Sequence, residues 1–359
     1  MIHIVIGTKA QLIKMAPVLV VLRREGLPYR FISTGQHRGT MDDILNNFGL
    51  DKPDYCLYSG DDITSIPAMA VWSLRILWHT LTRRKKIFGN DWNGIVLVHG
   101  DTFSTLLGAM MARLARLKVG HVESGLRSFN LFHPFPEEII RLLTFRLTHY
   151  FFCPSHWAIS NVVNCPGVKI DTGGNTLADA LRFALSSDAI ADVAIPAKPF
   201  GIVTLHRFEN IYSRPALTRV VEIVERISQT QNLLFILHKP TEKKLREFGL
   251  YNRLATIENV ELRQRYDFFR FIRLIKSADF VVSDGGSNQE ESYYLGKPIL
   301  LLRKATERQD GLGDNCLLSL YNQETIDQFV ANYQSHSRPP QNLQNSPSQI
   351  IAETCRQFA

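Results

Sequence analysis

The chain has 359 residues, 45% of them hydrophobic and 21% charged, which is long enough for two α/β domains and too apolar for a disordered chain. No apolar run is long enough to span a bilayer. The formal net charge of +7 suits an anionic partner, but no basic stripe with interleaved aromatics and no nucleic-acid-binding motif accompanies it, which argues against nucleic acid. The cysteines (Cys56, Cys153, Cys165, Cys316 and Cys355) are odd in number, scattered and without CxxC spacing. That speaks against a disulfide framework or a zinc site and fits a reducing compartment.

The opening MIHIVIGTKAQ reads as a first strand and turn rather than a signal peptide, because it lacks a basic start and its apolar stretch is short. Strands are expected at Ile2–Ile6, Tyr29–Ser33, Ile95–His99, Val119–Glu123 and Tyr150–Cys153. A second set is expected at Ile202–Leu205, Leu233–Leu237, Val260–Leu262, Phe280–Ser283 and Pro298–Leu302. Most are continuous runs of Val, Ile, Leu and Phe, the pattern of strands buried on both faces of a parallel sheet. Two sets of five, each interleaved with helical stretches, predict an α/β chain of two Rossmann-like, doubly wound domains. Their expected spans are residues 1–180 and 195–359, because SSDAIADVAIPAKPFG loses periodicity and Pro196 and Pro199 interrupt a helix. A Gln, Asn, Pro and Ser-rich tail (335–348) precedes a last helix expected to begin near Ser348 and to pack back on the first domain.

In open α/β sheets, ligands sit beyond the carboxyl ends of the strands. The first strand ends at Gly7-Thr8-Lys9, where a helix start offers free N–H groups to an anion, with Lys14 one turn on. VLVHGD ends the third strand at Asp101, and Thr102, Ser104 and Thr105 can cap the next helix; an N-cap role is the structural alternative for Asp101. GHVESGLR sets Glu123 at the end of the neighbouring strand, followed by Arg127. In PFPEEIIR, Pro136, Glu137 and Glu138 suit a helix start, and Arg141 is spaced to pair with Glu137. In the second half, His206 with Arg207 and His238 with Lys239 close two successive strands, as a phosphate site requires. Gly285 and Gly286 permit close backbone approach, Ser287 can cap a helix, and Glu290 and Glu291 are expected in its first turn.

In chain order, the segments IGTKAQLIKMAPV, TGQHRGTMDDIL, VLVHGDTFSTL, VGHVESGLRS, PFPEEIIR, GNTLADAL, LHRFEN, VVSDGGSNQEE, GKPILLLR and ATER resemble the UDP-N-acetylglucosamine 2-epimerase family. That resemblance implies a GT-B-like fold, with its two domains facing a cleft. It implies that Asp101, Glu123 and Glu137 are catalytic carboxylates and that Arg141 and His206 support them. Lys9, Lys14, His238, Gly285, Gly286, Ser287, Glu291 and Arg308 fall where the family holds the UDP-sugar, with Glu291 at the acid that grips the ribose hydroxyls. Gln36, His37 and Arg38 match a segment that lines a second, activating UDP-GlcNAc site in bacterial non-hydrolysing members. Where the family has GTRPE, QHRE, DSGG and TERPE, this chain has GTKAQ, QHRG, DGGS and TERQD. Lys9 thus keeps a charge while losing a bidentate fork.

The implied reaction is interconversion of UDP-GlcNAc and UDP-ManNAc, or hydrolysis to ManNAc and UDP, by elimination of UDP through a glycal, serving cell-surface polysaccharide precursors. No metal and no NAD are expected as cofactors. A homodimer in the cytoplasm is expected. Peripheral contact with the inner membrane face is assigned to Trp72–Lys86, where two tryptophans precede Arg83-Arg84-Lys85-Lys86. That stretch, with Phe268, Phe269, Arg270, Phe271 and Arg273, supports the alternative of a membrane-surface GT-B glycosyltransferase; a core-facing helix with a solvated basic end is its bland counterpart.

Overall fold

The computed structural model describes residues 1–36, 41–60, 66–131, 135–187, 193–306 and 308–359, except the side chains of 66 and 67. The chain forms two compact units. One is Met1–Phe183 with Leu343–Ala359, the other Ala184–Asn342. Residues 343–359, given to the second domain by chain order above, therefore group with the first unit.

Among the described residues, the first unit holds β1 (Ile2–Ile6), β2 (Tyr29–Ser33), β3 (Tyr55–Cys56), β4 (Ile95–His99), β5 (Lys118–Val122), β6 (Tyr150–Cys153) and β7 (Val168–Asp171). They form one parallel sheet in the order β3-β2-β1-β4-β5-β6-β7. The second unit holds β8 (Gly201–Leu205), β9 (Leu233–Leu237), β10 (Val260–Gln264), β11 (Phe280–Ser283), β12 (Ile299–Leu301) and β13 (Cys316–Leu318). These are parallel in the order β10-β9-β8-β11-β12-β13. Each sheet runs outward from its centre and then jumps back across its first strand, the doubly wound order. The reversal lies between β1 and β4 in one unit and between β8 and β11 in the other. Every residue of β1, β4, β8 and β9 is buried, as the unbroken apolar runs require.

The sheets have seven and six strands instead of five each. The additions β3, β7 and β13 lie at sheet edges; β3 has two residues and β7 is only half-buried. An edge strand packs fewer neighbours and leaves no long apolar run to read.

The last helix spans Pro347–Cys355 and packs on the helix Lys9–Arg24. Ser346 caps it by accepting from Gln349 N–H. Asp179 adds to the cap, accepting from Ser346 Oγ at 2.8 Å and Ser348 N at 2.9 Å. Ile351, Ala352 and Cys355 are buried there.

Two helices have both a surface and a core-facing reading, and the structure decides between them. In the helix Ile66–Thr82, Trp72 is buried with Ile76 in the core of the first unit and has no outward face. Val71, Leu74, Trp78 and Leu81 point outward instead. In the helix Phe268–Ser277, Phe268, Phe269 and Ile272 are buried, so that stretch is an ordinary core-facing helix. No described helix is long and apolar enough to cross a membrane.

Candidate active site

At the reversal of the first sheet, the turn after β1 is built around Gly7. A Cβ there would lie 1.9 Å from Ser104 Oγ and 2.3 Å from Thr34 Oγ1, so only glycine fits. Thr8 caps the following helix, and Gln11 closes the capping box. Gln11 Oε1 accepts from Gly7 N at 2.9 Å and Thr8 N at 3.1 Å, while its amide donates to His99 O at 2.7 Å and Thr105 Oγ1 at 3.0 Å. An acid could not make the last two bonds as a carboxylate, so Gln11 suits a turn wired through its amide. Lys9 is partly exposed at the first residue of that helix. Gln36 is buried and accepts from Ser104 Oγ at 2.6 Å; His37 and Arg38 lie outside the described residues.

Glu123 follows β5 with φ +61°, left-handed for a residue with a side chain. Its carboxylate is buried and takes Lys14 Nζ on both oxygens, at 3.0 and 2.8 Å. His99 Nε2 approaches Oε2 to 2.9 Å, off the line of a hydrogen bond. A recess beside it is lined by Pro154, Thr172, Asn175, Thr176 and Ile351. One strand away, Gly100 N donates to Val122 O at 3.0 Å, so the residues preceding Asp101 and Glu123 are paired. His121 fastens the same two strand ends. Its Nε2–H donates to Gly100 O at 2.7 Å, and Nδ1 accepts from Ser124 Oγ at 2.9 Å. Full burial lowers its pKa to about 4.

Asp101 is not a helix cap; Thr102 takes that place in Phe103–Leu114. Asp101 Oδ2 instead receives Arg141 Nη2, and Arg141 Nη1 donates to Glu138 Oε2 at 3.1 Å. The expected Glu137–Arg141 pairing gives way to Glu138–Arg141, three residues apart in the helix Glu137–Leu147. Pro136 is the N-cap of that helix rather than its first residue. Glu138 is wholly buried. It also receives Arg127 Nε, with Ser128 N at 2.9 Å and Ser128 Oγ at 3.1 Å. Burial alone would raise its pKa, but these hydrogen bonds and both guanidiniums outweigh it and hold the carboxyl below the ordinary range. The Arg141 guanidinium stays charged for the same reason: burial is outweighed by Asp101 and Glu138.

At the reversal of the second sheet, Asp284 closes β11 and is fully buried. It shapes the turn after β8 by accepting from His206 N at 3.0 Å, Arg207 N at 3.0 Å and Asn210 Nδ2 at 2.9 Å. The His206 and His238 rings stack with centroids 4.7 Å apart. Burial of the His206 ring lowers its pKa; Asp284 opposes this and Arg207 and Arg265 add to it. At Gly285 a Cβ would fall 2.5 Å from Asn288 Oδ1 and 3.0 Å from His206 Cε1, so glycine lets the helix Gly286–Leu295 start against the histidine. Gly285 is itself the N-cap; Ser287 is exposed in the first turn and caps nothing. Glu290 and Glu291 are buried beyond the first turn, so they do not complement the helix dipole. Glu291 Oε2 accepts from Asn288 Nδ2 at 2.8 Å, and Glu290 Oε1 meets Arg308 Nη1 at 2.5 Å. Glu290 thereby aims Arg308 instead of complementing the helix start.

Within the first unit the structure thus joins Lys14 to Glu123 and Arg141 to Asp101. Within the second it joins His206 to His238 and brings Gly285 against both His206 and the helix bearing Glu291. His99, Glu138, Asn175 and Thr176 were not anticipated as site residues. GNTLADAL is legible as a motif, but only sheet order brings its Asn and Thr to the recess beside Glu123.

Comparison with known proteins gives one answer along the whole chain. The profile of the family described as UDP-N-acetylglucosamine 2-epimerase matches residues 21–350. A UDP-N-acetylglucosamine 2-epimerase of Methanococcus maripaludis is 33% identical over 332 residues, covering 88% of this chain and 86% of its own. One from Neisseria meningitidis is 30% identical, covering 98% of this chain and 97% of its own. Among solved structures, the Neisseria meningitidis enzyme bound to UDP-GlcNAc superposes with TM-score 0.83 at 27% identity, covering 98% of each chain. The Methanocaldococcus jannaschii enzyme in complex with UDP-GlcNAc and UDP gives 0.80 at 26%, covering 100% and 99%.

Proposed function

The chain belongs to the UDP-N-acetylglucosamine 2-epimerase family, and from that premise we propose that it inverts C2 of UDP-GlcNAc to give UDP-ManNAc. The glycosyltransferase alternative is not favoured, since relatives spanning nearly the whole chain are epimerases. The observation that carries the reading is Glu123: a buried carboxylate in a left-handed backbone position, gripped by Lys14 and one strand from Asp101.

The C2 proton of the intact sugar is not acidic, so the C1–O bond breaks first. UDP departs with the bonding electrons, and positive charge develops at C1. That charge acidifies the C2 proton, so a carboxylate suffices as base. In our assignment Glu123 takes the proton and the C2–H electrons form the C1=C2 bond of a glycal. Asp101 offsets the charge at C1, Glu137 in its protonated form gives its proton to the opposite face of C2, and exchange with water then returns Glu123 and Glu137 to their starting states. UDP then adds back to C1. Water in its place gives free ManNAc and UDP. Arg141 orients Asp101. We assign UDP to the second unit: neutral His206, His238, the helix start at Gly285, Gly286 and Ser287, with Glu291 for the ribose and Arg308 for phosphate. Lys9, at the helix start after β1, is assigned to a phosphate contact. No resident metal or nicotinamide enters any step.

The test is incubation with UDP-GlcNAc in D₂O. Deuterium should appear at C2 by NMR, and Glu123→Gln should abolish exchange while still binding UDP. Binding without exchange or UDP release sinks the reading, and ordinary turnover by Glu123→Gln sinks the role of that residue.

For partners, we infer a homodimer formed across the outward face of Ile66–Thr82. Val71, Leu74, Trp78 and Leu81 recur on one side and are 58% to 69% exposed. Met110 and Leu114 on the adjoining helix Phe103–Leu114 are exposed too. The basic run Arg83–Lys86 favours an anionic membrane face as the rival occupant.

A further inference from the structure

The helix Glu137–Leu147 begins with two acids, and the epimerase reading uses only the first. The second, Glu138, is the more constrained. It is fully buried, and a buried carboxylate persists only where donors replace the lost water. Glu138 has four: Arg127 Nε on one oxygen, and Ser128 N, Ser128 Oγ and Arg141 Nη1 on the other. The donors come from two places, the segment after Glu123 and the helix itself, so the carboxylate ties the loop to the helix.

Arg141 then has one Nη committed to Glu138 and the other to Asp101. A guanidinium is planar and rigid, so fixing one nitrogen fixes the direction of the other. The Arg141 side chain is itself buried, leaving its head few alternative directions. Asp101 by contrast keeps part of its side chain exposed, at 31%, and would be mobile without that partner. Net ion-pair stability is not what this arrangement supplies, since desolvation offsets much of the attraction between buried charges. What it supplies is direction.

We propose that Glu138 is a positioning residue that acts through Arg141: it clamps one face of the guanidinium so that the other presents a fixed cation to Asp101. This rests on the epimerase reading for the role of Asp101, whereas the clamp itself is independent of the substrate.

The variant Glu138→Gln keeps the shape and removes the charge. Its kcat for C2 exchange should fall on the order of 10- to 100-fold, as small misplacements of catalytic groups do, with KM little changed. In an Arg141→Lys background, whose single nitrogen cannot bridge two acids, Glu138→Gln should cost little more, since both changes break one device. A folded Glu138→Gln protein with unchanged kcat, or losses that multiply in the double variant, overturns the proposal. A second readout needs no turnover: the ¹⁵N guanidinium signals of Arg141 should show slowed rotation in the wild type and free rotation in Glu138→Gln. Unslowed rotation in the wild type overturns the clamp. Should Glu138→Gln fail to fold, Glu138→Asp, which keeps the charge but shortens the reach, carries the same two measurements. A wild-type protein inert on UDP-GlcNAc yet showing the slowed Arg141 signals would defeat the epimerase reading and leave the clamp standing.

Discussion

Glu123 occupies a backbone region that costs an ordinary residue about 1–2 kcal/mol, and its carboxylate is stripped of water. Neither helps folding. Both are offset locally by Lys14 and by Ser124 N–H donating to Phe152 O at 2.9 Å. The left-handed turn redirects the chain just where β5 ends, which aims the side chain at Lys14 rather than along the strand. Two positions away, His121 binds its proton more weakly than in the unfolded chain, near pH 4 against 6.5. Below pH 6.5 the unfolded chain takes up a proton that the native state refuses until about pH 4. Stability is therefore present above this window and lost as pH falls through it, by about 3 kcal/mol in all. Denaturant unfolding of wild type and His121→Gln between pH 7 and 4 checks this. The variant should be less stable at pH 7 through its lost hydrogen bonds, but the gap should narrow by about that amount in acid. Parallel curves would rule out a buried neutral His121.

At the scale of elements, what matters is how helix ends and strand ends are tied. Gln11 wires the start of the helix Lys9–Arg24 to the end of β4, and Asp284 wires the turn after β8 to β11. Each tie crosses its sheet's reversal point: in one unit a helix side chain reaches the neighbouring strand, and in the other a strand-end carboxylate holds the neighbouring turn. Asp179 plays the corresponding role for the helix Pro347–Cys355. Asp179→Ala removes two hydrogen bonds at that helix start and should cost about 1–2 kcal/mol. Hydrogen exchange should show lost protection concentrated in residues 347–355; protection there equal to wild type would mean that burial of Ile351 and Ala352 alone holds the helix. The strands that sequence patterning recovered are the interior ones, where both faces demand apolar side chains, and one edge strand, β10. The edge strands β3, β7 and β13 escaped because nothing forces their composition. A cap at Ser287 would put both acids of Gly286–Leu295 in its first turn, whereas the backbone enters the helix at Gly285.

On the scale of the whole molecule, the chain leaves and re-enters its first unit, so residues 343–359 complete a core that begins at β1. The stripe Val71, Leu74, Trp78 and Leu81 is the counterpart outside that core, an apolar face turned to solvent. Replacing Leu74 and Trp78 with Glu should convert a dimer into a monomer in sedimentation velocity, with unchanged circular dichroism. A wild-type monomer that instead pellets with anionic vesicles would transfer the face to a membrane.

The sequence alone determined the α/β class, the two sheets, and the segments bearing Asp101, Glu123, His206 and His238. Interior parallel strands must be apolar throughout and their polar ends must then stand out, so these features are written in local composition. Which partner each side chain takes was decided only by tertiary structure. Glu137 and Glu138 are equivalent on paper. Burial distinguishes them, because only Glu138 turns inward to where Arg127, Ser128 and Arg141 converge. Trp72 and Trp78 look alike in the same way, yet helix packing puts the first in the core and leaves the second in solvent. Pairings of this kind depend on strand order and on which helix face is covered, and residues 40 to 110 apart meet through neither spacing nor composition.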